Sequence, residues 1–445
     1  MTKVFSVLLA IGIWLPGADG ALSATAGQPG PGGEILAKNL YAGNVTQAQT
    51  ELSQYLAAHT LDQEARYALG VARLVGAIER LGQSLHRYGL ESPHNGFQVP
   101  FLRFPVPSNP QPEQLTYEKA RTALQTFVAD LAAADESLAK IDDPKASLPI
   151  NIGLVRLDLN DDGKAEPNEA LWQVFARVSS QQITEQQAST FELRFDAGDA
   201  AWMRGYTHVL RAMAEFLLAH DWQEGFDRTM HRFFPRSQLP YAGLDALIEL
   251  QRPHWDAFNQ CQAANRENPY QCWDKRPQNA INPDFVEGAD LLAFIHLMHW
   301  PVKEPERMQR VLHHLKMMAV TSRESWRLIL AETDNDHEWI PSPVQTGMIP
   351  GMVVTQQIVD GWLQFLDQFD AVLDGKLLLG HWRLPKGINI RRIFIEPRTF
   401  DPILWLQGSA ALPYQEDGPL AQSDSWRRLQ QIFGGNFFSY AVWLN

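Results

Sequence analysis

Residues 197–220 read AGDAAWMRGYTHVLRAMAEFLLAH, a strong helix candidate. Arg204, His208, Arg211 and Glu215 recur along it at steps of four, three and four residues, which aligns them on one helix face. Working outward, helical patterns recur near residues 238–264, 283–299, 304–332 and 351–373. Stretches of such length imply helices packed on helices rather than a βαβ fold. The expected class is therefore mainly α, a multi-helix globular protein.

Upstream, residues 33–59 and 62–88 read as two amphipathic helices, with Ala48, Leu52, Tyr55 and Leu56 followed by Tyr67, Leu69, Val71 and Leu74. The pair is loosely similar to a tetratricopeptide hairpin. A Pro-rich connector from Pro93 to Pro112 precedes another helix over 113–139. At the other end, residues 376–383 and 388–396 carry short β-compatible patterns separated by Leu384, Pro385, Lys386 and Gly387, which predicts a small hairpin. Leu404, Trp405, Phe433, Phe437, Phe438 and Trp443 are expected to seal it against the helices. Gln, Ser and Thr interrupt the apolar rhythm between Ser179 and Thr190. The expected organisation is an N-terminal helical region over 34–178, a helical core domain over 191–375, and a mixed extension over 376–445 packed on that core.

Residues 158–169, DLNDDGKAEPNE, fit D-x-[DN]-x-[DN]-G-x5-E. The stretch resembles the calcium loop of the EF-hand family, a likeness confined to the loop and its flanks, roughly residues 149–178. The resemblance implies Ca2+ held by Asp158, Asn160 and Asp162 at loop positions 1, 3 and 5, the Lys164 carbonyl at 7, Glu166 at 9 and bidentate Glu169 at 12. Gly163 permits the reversal at position 6, where no side chain can intrude. Five carboxylates against Lys164 leave the loop at a formal charge of -4, so ion binding should order it. Pro167 suits the first turn of an exit helix striped by Leu171, Val174, Phe175 and Val178. Two features depart from the family. Gly153 weakens the entering segment as a helix, and Ala165 stands at position 8, where a branched apolar residue usually links paired loops.

The amino terminus predicts export. Lys3, the apolar run 4–14 and Ala18-Asp19-Gly20 before Ala21 match a signal peptide over 1–20, followed by a flexible mature start over 21–33, and so a periplasmic or secreted address. Elsewhere no uninterrupted apolar run approaches the ~20 residues of a membrane span. Cys261 and Cys272 are the only cysteines; in an oxidising compartment they would most simply close a local loop. A net charge of -13 with scattered Lys and Arg argues against a nucleic-acid partner. Twenty-two Phe and fourteen Trp supply enough aromatic surface for a core or a ligand cavity.

No G-x-S-x-G elbow, Walker loop, dinucleotide fingerprint, H-E-x-x-H pair or C-x-x-C motif occurs. Catalytic candidates therefore rest on clusters. The face of Arg204, His208, Arg211 and Glu215 reads either as an anion site in which His208 moves a proton, or as a helix–helix ion network. His296 and His299 lie about one helical turn apart, a spacing open to two metal ligands or to one capping and one buried histidine. His313 and His314 are adjacent and diverge on a helix. Glu332, Asp334, Asp336, His337 and Glu338 cluster where a long helix should end; folded over His296 and His299, they would complete a second divalent-cation site beside an apolar pocket.

Three function classes follow. The first is a secreted, calcium-stabilised helical module binding a protein, peptide or cell-envelope component. The second is a metal-assisted hydrolase using His296, His299, Asp334, Asp336 and His337. The third is a structural envelope protein, marked by a broad exposed apolar patch.

Overall fold

The computed structural model describes residues 28–91, 104, 106–173, 184–236, 242–277, 281–348 and 353–421. The leader 1–20 and Val174, Phe175, Val178, Phe433, Phe437, Phe438 and Trp443 lie outside this set.

Among the described residues the first helix starts at Pro31. The pattern over 33–59 is not one helix but two, α1 (Pro31–Tyr41) and α2 (Val45–Ala58). Gly43 breaks it with φ +75°, and a Cβ there would lie 2.1 Å from the Ala165 Cβ. α3 (Gln63–Arg87) starts where Asp62 accepts the Ala65 N–H at 2.9 Å, and Thr116 caps α4 (Tyr117–Leu138) in the same way. Next come the strand β1 (Leu148–Asn151), the single-turn α5 (Glu185–Ser189) and the strand β2 (Glu192–Phe195). β1 and β2 pair antiparallel, with Leu148 opposite Phe195 and Asn151 opposite Glu192.

The helix expected from residues 197–220 is α6 (Ala197–Ala219). After it come α7 (Gln223–Thr229), α8 (Ala242–Ala264), α9 (Pro283–His296), α10 (Pro305–Ile329) and α11 (Gln356–Leu373). α6 and α10 form the most extensive helix pairing, and α4 packs on both α3 and α6. Arg121 of α4 is buried and donates to the last carbonyls of α6, Leu218 O at 2.7 Å and His220 O at 3.1 Å, while also pairing with Glu304 before α10. It thereby satisfies acceptors that a helix end leaves orphaned.

One large buried cluster draws on residues from both sides of the stretch between Ser179 and Thr190. Leu36, Leu52 and Tyr67 from the first helices, Leu148 and Leu193 from the two strands, and Trp202, Trp326, Trp339 and Trp362 beyond them belong to one buried cluster. Burying each such side chain contributes about 1.5–3 kcal/mol.

The C-terminal β element matches the predicted hairpin only in part: Leu379 and Ile388, one from each predicted segment, pair in a single antiparallel bridge. Its two strands are β3 (Gly387–Ile388) and β4 (Gln415–Glu416), and residues Ile390–Ile395 form helix α12. The reason is periodicity: Ile390, Ile393 and Phe394 recur at i, i+3 and i+4, and Ile393 and Phe394 pack against Ala212, Met308 and Val311. A last short helix, α13 (Pro402–Gln407), follows. Cys261 and Cys272 form a disulfide inside a separate small core with Trp255 and Phe258. Among the described residues no helix is long and apolar enough to cross a membrane.

Candidate metal centre

The EF-hand-like stretch folds as a tight loop; among the described residues no α-helix enters it, while on the exit side helix begins at Leu171 and the rest of the expected exit helix, Val174, Phe175 and Val178, lies outside the described residues. It is entered through β1 and the single 3-10 turn Ile152–Leu154, and it leaves through the 3-10 turn Pro167–Glu169. Its two ends are stitched together by Leu157 N–H to Glu169 O at 3.1 Å and Leu171 N–H to Val155 O at 2.9 Å. Gly163 adopts φ +81°. Asp158 accepts the N–H of Asp162 at 3.1 Å and of Gly163 at 2.9 Å, and Asp162 accepts that of Lys164 at 2.8 Å. Glu169 is fully buried and receives the Leu159 and Glu166 N–H groups at 2.9 and 2.8 Å. Ala165 faces Gly43 in the α1–α2 turn rather than a second loop, which accounts for the small residue at position 8.

The carboxylates that converge on one point lie elsewhere. One oxygen each from Asp196, Glu332 and Glu338 falls within 4.8 Å of the others, in a largely buried position able to chelate a divalent cation. Asp196 ends β2 and caps α6: its Oδ1 accepts Gly198 N–H at 2.6 Å and Asp199 N–H at 3.1 Å, and Asp199 returns the bond to Asp196 N–H at 3.2 Å. Glu332 follows the end of α10. The chain then doubles back through residues 334–338, held by Asp336 N–H to Glu338 Oε1 at 2.9 Å. Gln345 clamps this loop, its amide reaching Glu332 at 3.3 Å, Glu338 at 3.1 Å and the Asp334 carbonyl at 2.8 Å. Tyr67 donates to the Asp196 carbonyl at 2.8 Å from the core side. Trp339, next to Glu338 in the chain, packs edge-on against Trp202 and Phe195 in a buried aromatic layer.

Burial and mutual repulsion shape the electrostatics. Glu332 is pushed up to about 9, by burial first and by Asp196 second; Glu338 rises to about 7, mainly through burial. Asp196 and the deeply buried Asp199 are raised for the same reason. Asp199 Oδ1 is buried with no hydrogen-bond partner. Arg194 spends its charge on Asp336 at 2.8 Å and Asp334 at 3.8 Å. Four carboxylates so placed need either protons or a cation, and an all-oxygen donor set suits a hard divalent ion.

Beside the cluster, His337 stands in left-handed backbone at φ +59° with its Nδ1 2.8 Å from Asp336 Oδ1. Asp334, Asp336 and His337 lie over β2 through Arg194 rather than over His296 and His299. His299 instead meets Asp401 at 2.9 Å, and His296 is exposed on α9. Asp196 was missed by sequence reasoning; its one signal is an Asp-x-x-Asp pair opening a helix, the pattern of a reciprocal cap.

The face of Arg204, His208, Arg211 and Glu215 is a helix–helix network. Asp135 of α4 meets Arg204 at 2.9 Å, His208 at 3.4 Å and Arg211 at 3.6 Å, while Glu215 takes Arg307 at 2.8 Å and Arg310 at 3.0 Å. Its charges are compensated within the fold, which removes the anion-site reading. His314 does find a partner after all, with its Nδ1 3.0 Å from His208 Nδ1. Comparison with known protein families, curated proteins and solved structures finds no match.

Proposed function

We propose that this chain is a metal-assisted hydrolase whose divalent cation is held by Asp196, Glu332 and Glu338. The observation that carries the reading is the convergence of three carboxylate oxygens within 4.8 Å, largely buried and, among the described residues, with the nearby Arg194 already paired to Asp336. A divalent ion held there would supply a Lewis acid and lower the pKa of coordinated water. The chain's own residues do the rest. Asp336 fixes His337 through Nδ1 and leaves Nε2 to accept a proton, and Arg194 holds Asp336 in turn. Calorimetric titration with Mg2+ and Mn2+ should give binding to the wild type and at least about tenfold weaker binding to Glu332→Gln. His337→Ala should retain the metal yet lose hydrolysis of p-nitrophenyl ester or phosphoester probes by about 10^2-fold or more. Equal metal affinity in wild type and Glu332→Gln would overturn the assignment, and a His337→Ala protein of unchanged activity would remove the proton acceptor.

A second reading is supported by the loop 158–169, whose Gly163 turn and Asp158 hydrogen bonds have the form that the calcium loop requires. In it Ca2+ bound by Asp158, Asn160, Asp162, the Lys164 carbonyl, Glu166 and Glu169 stabilises an exported module that binds a protein, peptide or envelope component. The affinity expected is that of extracellular modules, about 10^-4 to 10^-3 M. Glu169→Gln should weaken Ca2+ binding while leaving Mn2+ binding at Glu332 intact; identical calcium heats in both proteins would reject the loop site.

A further inference from the structure

We infer that the C-terminal segment docks on a membrane surface rich in anionic phospholipid, through Trp382, Ile403 and Leu406 with a rim of arginines. The chain as a whole carries -13, yet residues 376–400 hold six Lys or Arg against Glu396 alone. Three of these, Arg383, Arg391 and Arg398, are exposed and have no carboxylate at ion-pair distance among the described residues. The same segment exposes large apolar side chains. Trp382 is 71% exposed, Ile403 51% and Leu406 50%. Ile403 and Leu406 are one turn apart on α13 and so share a face. The Trp382 indole N–H donates to the Leu406 carbonyl at 3.1 Å, which ties the tryptophan to that helix. The Arg383 guanidinium sits 4.6 Å over the Trp382 ring, so a cation and an aromatic plate are presented together.

Two features select the occupant. A tryptophan whose polar edge is satisfied and whose ring is exposed suits the headgroup boundary. The unpaired arginines complement anionic headgroups and would repel a second copy of the same patch. The metal centre takes no part in this contact.

The test is flotation of the full-length protein with vesicles of phosphatidylcholine alone or with added phosphatidylglycerol, at low and high salt. Wild type should float only with phosphatidylglycerol, and high salt should release it. Trp382→Ala should weaken binding about tenfold, and the triple change Arg383→Glu, Arg391→Glu, Arg398→Glu should abolish it. All four positions are exposed, so unchanged circular-dichroism melting will show that these variants fold. Failure to float with phosphatidylglycerol, or equal flotation of wild type and the triple variant, would overturn the proposal. So would capture of wild type by a soluble acidic polypeptide with no preference for vesicles, since that would assign the patch to a protein partner.

Discussion

Gly163 inside the loop 158–169 and Gly153 ahead of it differ in what they tolerate. At Gly163 an added Cβ meets nothing within 4 Å, so only its φ of +81° resists substitution. At Gly153 the added atom would fall 1.7 Å from the Ala188 carbonyl oxygen, where backbone must move. Gly163→Ala should therefore cost about 1–2 kcal/mol and Gly153→Ala about 3 kcal/mol or more, as urea unfolding will measure. The opposite ranking would show that the α5 contact is loose. Gly163 was legible in the sequence because a spacing rule names it. Gly153 read only as a flaw in a helix, since its real constraint is a carbonyl 35 residues away. Asp196 stayed hidden for a similar reason: an aspartate at a helix start is ordinary until Glu332 and Glu338 arrive from elsewhere in the chain.

Among the elements, the junction of α4, α6 and α10 is the most sensitive to protons. His208 and His314 face each other at 3.0 Å in a buried position. Around them stand Asp135 from α4, Arg204 and Arg211 from α6, and Arg310 and His313 from α10. Burial chiefly lowers His208 to about 4 and His314 to about 3, with the arginines adding to the effect. The unfolded chain thus binds protons near pH 6.5 that the folded one refuses, so stability is intact above that pH and falls as pH drops toward about 4. Each histidine contributes a slope of up to about 1.4 kcal/mol per pH unit in this window. Thermal melts from pH 7.5 to 4.5 should show the decline, and His314→Gln should flatten it. A variant as acid-sensitive as the wild type would place the cause elsewhere. Helix existence was legible here because α4, α6 and α10 have strong apolar periodicity. Their pairing was not, because adjacent His313 and His314 look divergent on one helix, and only the crossing of α6 brings His314 to His208. The C-terminal hairpin was legible only up to Ile388, because the β-branched residues after it carry a helical period that tertiary packing selected.

At the scale of the molecule, the body and the disulfide unit are separable. Cys261, Cys272, Trp255 and Phe258 form their own cluster apart from the main core. Removing the bridge frees a short loop, a loss of about 3 kcal/mol to that unit alone by the chain-entropy account. Cys261→Ser with Cys272→Ser should speed amide exchange across residues 255–275 and leave α3, α6 and α10 protected; a global loss of protection would contradict the separation. The predicted break near residues 179–190 was a change in composition, yet β1 and β2 join across it, and strand pairing between distant segments leaves no local mark. The distance between Asp196 and its partners also sets a timetable. Asp196 leaves the ribosome some 142 residues before Glu338, which at ordinary synthesis rates is roughly 10–30 s. During that interval α6 can form and cap itself, but the nascent chain offers one carboxylate where the finished protein offers three. Under the proposed function all three carboxylates can hold a cation only after Glu338 has emerged, and a stalled or truncated translation product ending before Glu332 should leave the ribosome unable to acquire one.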